Sequence, residues 1–192
     1  MAPYTIGLRS HIYLAPGTHF LFGDITLDRP LRIFGAGPDS IIKRCTDCSL
    51  ILTDHCELDN IQFLSYGDES VRSEYPIVMD GLSAAVRGVR IFDCAGGIRV
   101  SADGDEAHVA GCRIQELELT TGNKGILVEA GATHFSIKEN WVGELPRVNG
   151  DIYLTQTSTN GIVCENHVGG TIEHWAVDAH VVANNQALIT AH

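Results

Sequence analysis

Three segments of the chain, "SIKENWV" (136–142), "IVCENHV" (162–168) and "VVANNQA" (181–187), share one frame of apolar and polar positions. An aliphatic residue is followed three positions on by Asn and two further on by an apolar residue: Ile137, Asn140, Val142; Val163, Asn166, Val168; Val182, Asn185, Ala187. The frame continues backwards without the Asn, through Leu58, Ile61, Phe63; Val86, Val89, Ile91; and Val109, Cys112, Ile114. Taking the middle position as marker, the series 61, 89, 112, 140, 166, 185 advances in steps of 28, 23, 28, 26 and 19 residues. Self-similarity at such a period marks stacked coils, each burying its apolar side against the next.

A second short strand recurs inside these coils: "PIVM" at Ile77, "GIRV" at Ile98, "GILV" at Ile126, "DIYL" at Ile152 and "TIEH" at Ile172. Each reads apolar, variable, apolar or nearly so, the period of two of a half-buried strand. No helical stripe of useful length competes with it. Polar insertions such as "SADGDE" and "TQTSTNG" absorb the differences in coil length, because only the strands must stay in register.

Composition narrows the class. With 192 residues, 44% hydrophobic content, Gly 20 and Pro 6, the chain suits one domain with a continuous core. A net charge of −11 with Lys+Arg 13 disfavours nucleic acid, whose phosphates draw on clustered cations. No apolar run approaches the ~20 residues that span a bilayer, and "MAPYTIGLRSHIYL" lacks the charged-then-apolar order of a secretory signal. A protein without signal peptide or membrane insertion is expected, and most of its six cysteines as reduced, buried thiols. "CTDC" (Cys45, Cys48) with His55 and Cys56 offers four zinc-type donors, but the second pair lacks the usual ligand spacing, so no metal and no cofactor is assigned.

The first coils carry a family resemblance. "HIYLAPGTHFLFGDITLDRPLRIFGAGPDSII" holds Pro16-Gly17, a strand, a Pro30-led strand, and Gly35 and Gly37 before Ile41 and Ile42. Together with the repeats, this resembles the right-handed parallel β-helix, or pectin-lyase-like, proteins over nearly the whole chain. The resemblance implies an all-β solenoid of about six to seven coils in a single domain, 1–192, with 1–44 as the first coils and 45–192 as the repeating ones. It does not imply one activity, since polysaccharide lyases, glycosidases, epimerases, bacterial surface proteins and phage spikes share the architecture.

In such a stack equivalent residues lie about 4.8 Å apart, so inward Asn140, Asn166 and Asn185 are expected to pass amide hydrogen bonds from coil to coil. Function then falls to outward positions. If 140 and 142 point in, the outward pairs read Asn60/Gln62, Gly88/Arg90, Gly111/Arg113, Glu139/Trp141, Glu165/His167 and Asn184/Gln186. Glu139 and Glu165 on neighbouring coils would approach the roughly 5 Å spacing of a retaining glycosidase, with Arg90, Arg113, Trp141 and His167 as ligand-binding groups. Outward carboxylates on a parallel sheet are ordinarily solvated, so binding outweighs catalysis in this reading. Asp93, Glu116 and Glu144 form a second acidic column, read as polar turn residues facing water in preference to calcium ligands.

The other strand presents Val78, Arg99, Leu127, Tyr153 and Glu173 outward, a partly apolar row suited to a loop or a second subunit. The chain stops at "ALITAH" with no amphipathic segment to cover its last coil, so another protein is expected to cap the solenoid ends. The expectation is therefore an oligomeric spike or fibre, trimeric as in spikes of similar fold, that binds cell-surface polysaccharide on a virion or virus-like particle assembled in the cytoplasm. The alternative is a polysaccharide depolymerase acting through Glu139 and Glu165. A lyase would need a calcium cluster with a positioned Arg base, a pattern that cannot be placed on this sequence.

Overall fold

A computed structural model of the chain describes residues 10–45, 48–65, 75–94, 96–115, 124–143, 152–175 and 180–191. These residues form a parallel β-solenoid of about six turns. Eight strands stack on a first face, and fourteen make the second and third faces, which merge through the long strand His167–His174. Each complete coil contributes three short strands, as Glu57–Asp59, Gln62–Ser65 and Ile77–Met79 do. All the pairings are parallel, and a bulge between His167 and Thr171 lets that strand bend from the second face to the third.

The core is a set of vertical columns. On the first face Ile33, Leu58, Val86, Val109, Ile137 and Val163 lie in one register row pointing inward. On the second, Phe63, Ile91, Ile114, Val142 and Val168 do the same. The third face sends two rows inward, Leu50 through Ile172 and Leu52 through Leu154, and nearly all these side chains are fully buried. Because the side-chain period is two, β-branched and Leu residues at alternate positions suffice to fill the interior.

Two of the corners turn through one residue with left-handed backbone. Between the first and second faces these are Asn60, Gly88, Gly111, Glu139, Glu165 and Asn184, with φ of 55–62°. Each lies immediately before the marker of its coil. Between the third and first faces a second corner runs through His55, Ser83, Glu106, His134 and Asn160, with φ of 54–58°.

Asn140 and Asn166 are buried behind the first corner. Asn140 Nδ2 donates to Asn166 Oδ1 at 3.0 Å, and Asn166 Nδ2 to Asn185 Oδ1 at 2.9 Å. The same oxygens accept the backbone N–H of Asn140 and Asn166, and Asn140 Oδ1 accepts that of Cys112 at 2.9 Å. Each amide also donates to the coil on its other side, at Val109, Ile137 and Val163. One coil earlier Cys112 takes the marker position, and burial pushes its thiol up to about 12.

Four of the six cysteines are free and two are joined. Cys45 and Cys48 are joined as a disulfide three residues apart, whereas Cys56, Cys94, Cys112 and Cys164 are free. Cys56 Sγ donates to Arg29 O at 3.2 Å inside the coil, and His55 is exposed at its corner. Among the described residues no three His, Cys, Asp or Glu side chains converge as metal ligands. No helix of the described residues is long and apolar enough to cross a membrane.

The first face carries its charges outward. Arg32 Nε meets Asp59 Oδ2 at 2.6 Å, and Glu57 lies 3.5 Å from Arg87 Nη1. His108, further along the row from Glu57, has a depressed pKa, first because of burial and then because of the Arg87 and Lys138 cations, with Glu106 opposing them. A histidine depressed in the folded state binds its proton more readily when unfolded. Stability therefore falls as pH drops from the unfolded value near ~6.5 through the lower folded value. His108→Gln is expected to flatten that slope in urea unfolding measured between pH 7 and pH 5; an unchanged slope would remove His108 as its source.

Candidate functional site

The outward row of the second face is continuous. Gln62, Arg90, Arg113, Trp141, His167 and Gln186 occupy one register position on six successive coils. Trp141 is 44% exposed, its ring centroid lying 4.0 Å from that of His167 at an interplanar angle of 31°. Arg113 Cζ stands 5.8 Å from the Trp141 ring on the other side, and His167 Nδ1 lies 2.8 Å from Gln186 Oε1. Arg113 Nε also bonds Gln115 Oε1. Strand stacking thus brings Arg113, Trp141, His167 and Gln186 into one ladder of contacts. An indole flanked by a guanidinium and an imidazole gives an apolar plate edged with donors, the chemistry that a sugar ring face and its hydroxyls require.

Glu139 and Glu165 are not part of that row. They were expected on the same strand as Trp141 and His167, but the first-face strand ends at Lys138 and the next begins at Trp141, with the left-handed corner between them. The pairs 139/141 and 165/167 therefore straddle a bend instead of sharing a flat face. Both carboxylates are exposed, and neither makes a hydrogen bond or ion pair among the described residues. Elsewhere this corner holds Asn or Gly, which tolerate φ near +60°, whereas two Glu there carry a conformational cost of about 1–3 kcal/mol each.

Asp93 also adopts positive φ, at the end of its second-face strand. Glu116 and Glu144, its expected companions in an acidic column, lie outside the described residues.

Two polar constellations escaped the sequence reading. At the second corner Ser83 Oγ donates to Glu106 Oε2 at 2.5 Å, and Asp105 Oδ1 takes Thr133 Oγ1 and lies 3.1 Å from His134 Nδ1. The Thr133 hydroxyl first, then His134, lowers the Asp105 pKa. The corner residues 55, 83, 106, 134 and 160 each lie six before a marker, so the repeat offered a signal for their position though not for their conformation.

The second constellation is a cleft on the third face. Asp24, Ser49, Ile51, Tyr75, Val78, Asp80 and Arg99 line a cavity of about 190 Å³. Arg99 is fixed by Glu129, Nε to Oε1 at 2.9 Å and Nη2 to Oε2 at 3.1 Å. Asp24 Oδ1 accepts the Ser49 N–H and Asp80 Oδ1 the Ser101 hydroxyl. Tyr75 is 6% exposed, and its hydroxyl accepts the Lys124 N–H at 2.9 Å; burial raises its pKa. Val78, Arg99, Leu127, Tyr153 and Glu173 lie in a single outward row, as the alternation implies, but Arg99 and Lys124, whose Nζ is 5.2 Å from the Tyr153 ring, break its apolar character.

No protein family matches the sequence, and no curated protein matches it. Solved structures similar to it include a PL6 alginate lyase in complex with trisaccharide, at 9% identity and TM-score 0.42, covering 95% of this chain and 55% of that one. ORF18 of Geobacillus virus E2 is similar at 12% identity and TM-score 0.35, covering 98% and 54%. The DFA-IIIase of Arthrobacter chlorophenolicus A6, in complex with DFA-III, is similar at 13% identity and TM-score 0.39, covering 95% and 65%. The chain therefore spans less than two thirds of the length of each of these proteins.

Proposed function

We propose that this protein is a polysaccharide-binding β-solenoid of the spike or fibre kind, engaging glycan through the second-face ladder of Arg113, Trp141 and His167, with Arg90 extending it. The observation that supports this reading is the half-exposed Trp141 indole held between Arg113 and His167 on a rigid sheet. A plate built on stacked strands is ordered before binding, so little conformational entropy is lost on contact. The homo-oligomeric part of the proposal, trimeric in form and with a second protein over the ends, is supported by exposed apolar side chains, Phe22 at 79% and Leu188 at 69% among them. Placement on a virion or virus-like particle belongs to the same proposal.

Trp141→Ala is expected to abolish most adsorption to host cells or purified capsule, a loss of tenfold or more in affinity. Glu139→Gln and Glu165→Gln are expected to weaken it at most twofold. Adsorption unaffected by Trp141→Ala would take the ladder out of the function.

A depolymerase reading is kept because two carboxylates are held on adjacent coils in a backbone conformation that Glu rarely adopts. The same preparation separates the two. If wild-type protein shortens the polysaccharide and either Gln variant loses that activity by roughly a hundredfold, the enzyme reading replaces the binding one, because an amide can neither donate the proton nor act as nucleophile.

A further inference from the structure

The third-face cleft is separate from the ladder, and its chemistry selects among sugars. Its floor is Ile51 and Val78, consecutive outward residues of one register row, and Tyr75 forms part of its wall. About 190 Å³ is the space of some six waters at ~30 Å³ each, the scale of one six-membered sugar ring. Sites that enclose larger ligands run to ~300–1,000 Å³. Asp24 and Asp80 each spend one carboxylate oxygen on the protein, and their Oδ2 atoms have no partner among the described residues. The buried Tyr75 hydroxyl accepts a hydrogen bond and, among the described residues, donates its own proton to nothing. Arg99 is the cation in the lining, and Glu129 is its ion-pair partner, Nη2 donating to Oε2 and Nε lying 2.9 Å from Oε1. The cleft is therefore lined by two carboxylates with spare acceptor oxygens and a guanidinium already paired to Glu129.

We infer that this cleft takes a single sugar unit without a carboxylate, neutral or amine-bearing, and discriminates against uronic acids. A sugar's hydroxyls or amine can donate to the free oxygens of Asp24 or Asp80, which stand at opposite strand ends of the cleft, while the ring face lies on Ile51 and Val78. A uronate would bring a third carboxylate beside Asp24 and Asp80, with Arg99 already paired, and like charges in a part-enclosed site repel. The inference rests on the polysaccharide-binding reading but concerns a different face, so the two can fail separately.

The test uses the full chain on an array of defined oligosaccharides spanning neutral, amino and uronic acid series. Bound glycans are expected to come from the neutral and amino series. Asp24→Asn and Asp80→Asn, which keep the acceptors used by Ser49 and Ser101, should each lower affinity tenfold or more with an unchanged melting temperature. Glu129→Gln frees Arg99 and should raise uronate binding at least fivefold relative to neutral glycans. Preferential binding of uronates by the wild type would overturn the inference while leaving the function intact. So would neutral binding that Trp141→Ala abolishes and neither Asp variant changes. An array on which nothing binds would overturn both.

Discussion

Asn166→Leu is expected to lower the unfolding free energy by roughly 2–4 kcal/mol, read as a shift in urea midpoint with little change in slope. Its side chain is the joint of the ladder: Oδ1 serves both the backbone and the amide of Asn140, and Nδ2 serves Ile137 O and Asn185 Oδ1. Leucine keeps the branched shape but leaves the Asn140 N–H, one N–H of its Nδ2 and the Ile137 carbonyl without these partners in a dry interior. Each buried polar group without a partner costs about 1–3 kcal/mol, and the three do not add fully, because the coil relaxes. Asn185→Leu should cost less, since Asn185 is only half-buried on the last described coil and no Asn follows it. Equal midpoints for wild type and Asn166→Leu would mean that water reaches these groups and that the ladder contributes no stability.

Residues 140, 166 and 185 were readable as a ladder because Asn recurs in an apolar frame, and an amide in such a frame needs another amide above and below it. The same logic placed the second-face row, because parallel strands in register carry every outward residue onto its equivalent one coil on. The corner was not readable. The frame of an aliphatic residue, Asn three on and an apolar residue two further on is compatible with one unbroken strand, and Glu139 and Glu165 carry no propensity for positive φ. Only Asn60, Gly88, Gly111 and Asn184 at equivalent positions have the left-handed tolerance that betrays a turn. The frame thus gave the direction of Glu139 correctly as outward but assigned it to the wrong surface. The third-face cleft was hidden for another reason. Asp24 lies just before the strand Ile25–Leu27, and Tyr75 and Asp80 flank the strand Ile77–Met79 two coils on, so their shared cleft depends on strand-end and loop paths that periodicity does not encode.

Gly97→Ala is expected to cost about 3 kcal/mol, lowering the melting temperature by roughly 6–12 °C. A Cβ at Gly97 would stand 2.0 Å from the Gly125 carbonyl oxygen and 2.9 Å from Ile114 Cγ2. The obstacle is backbone, not the end of a flexible side chain. That carbonyl accepts the Ile98 N–H at 2.9 Å, and the Gly97 N–H donates to Lys124 O at 3.1 Å, so moving it away breaks the entry to the third-face strand on both coils. The adjacent Gly96 is confined in the same way by the Tyr75 ring, 2.9 Å from where its Cβ would lie. Tyr75 in turn passes over this coil to receive the Lys124 N–H, so the two glycines allow the aromatic wall of the cleft to lie flat against the sheet. Gly23→Ala is the matched control, since a Cβ there meets nothing within 4 Å, and it should leave the melting temperature unchanged within about 1 °C. A Gly97→Ala protein as stable as wild type would show that the Gly125 carbonyl yields without loss, and that close packing of the coils at this edge is not what fixes the Tyr75 wall.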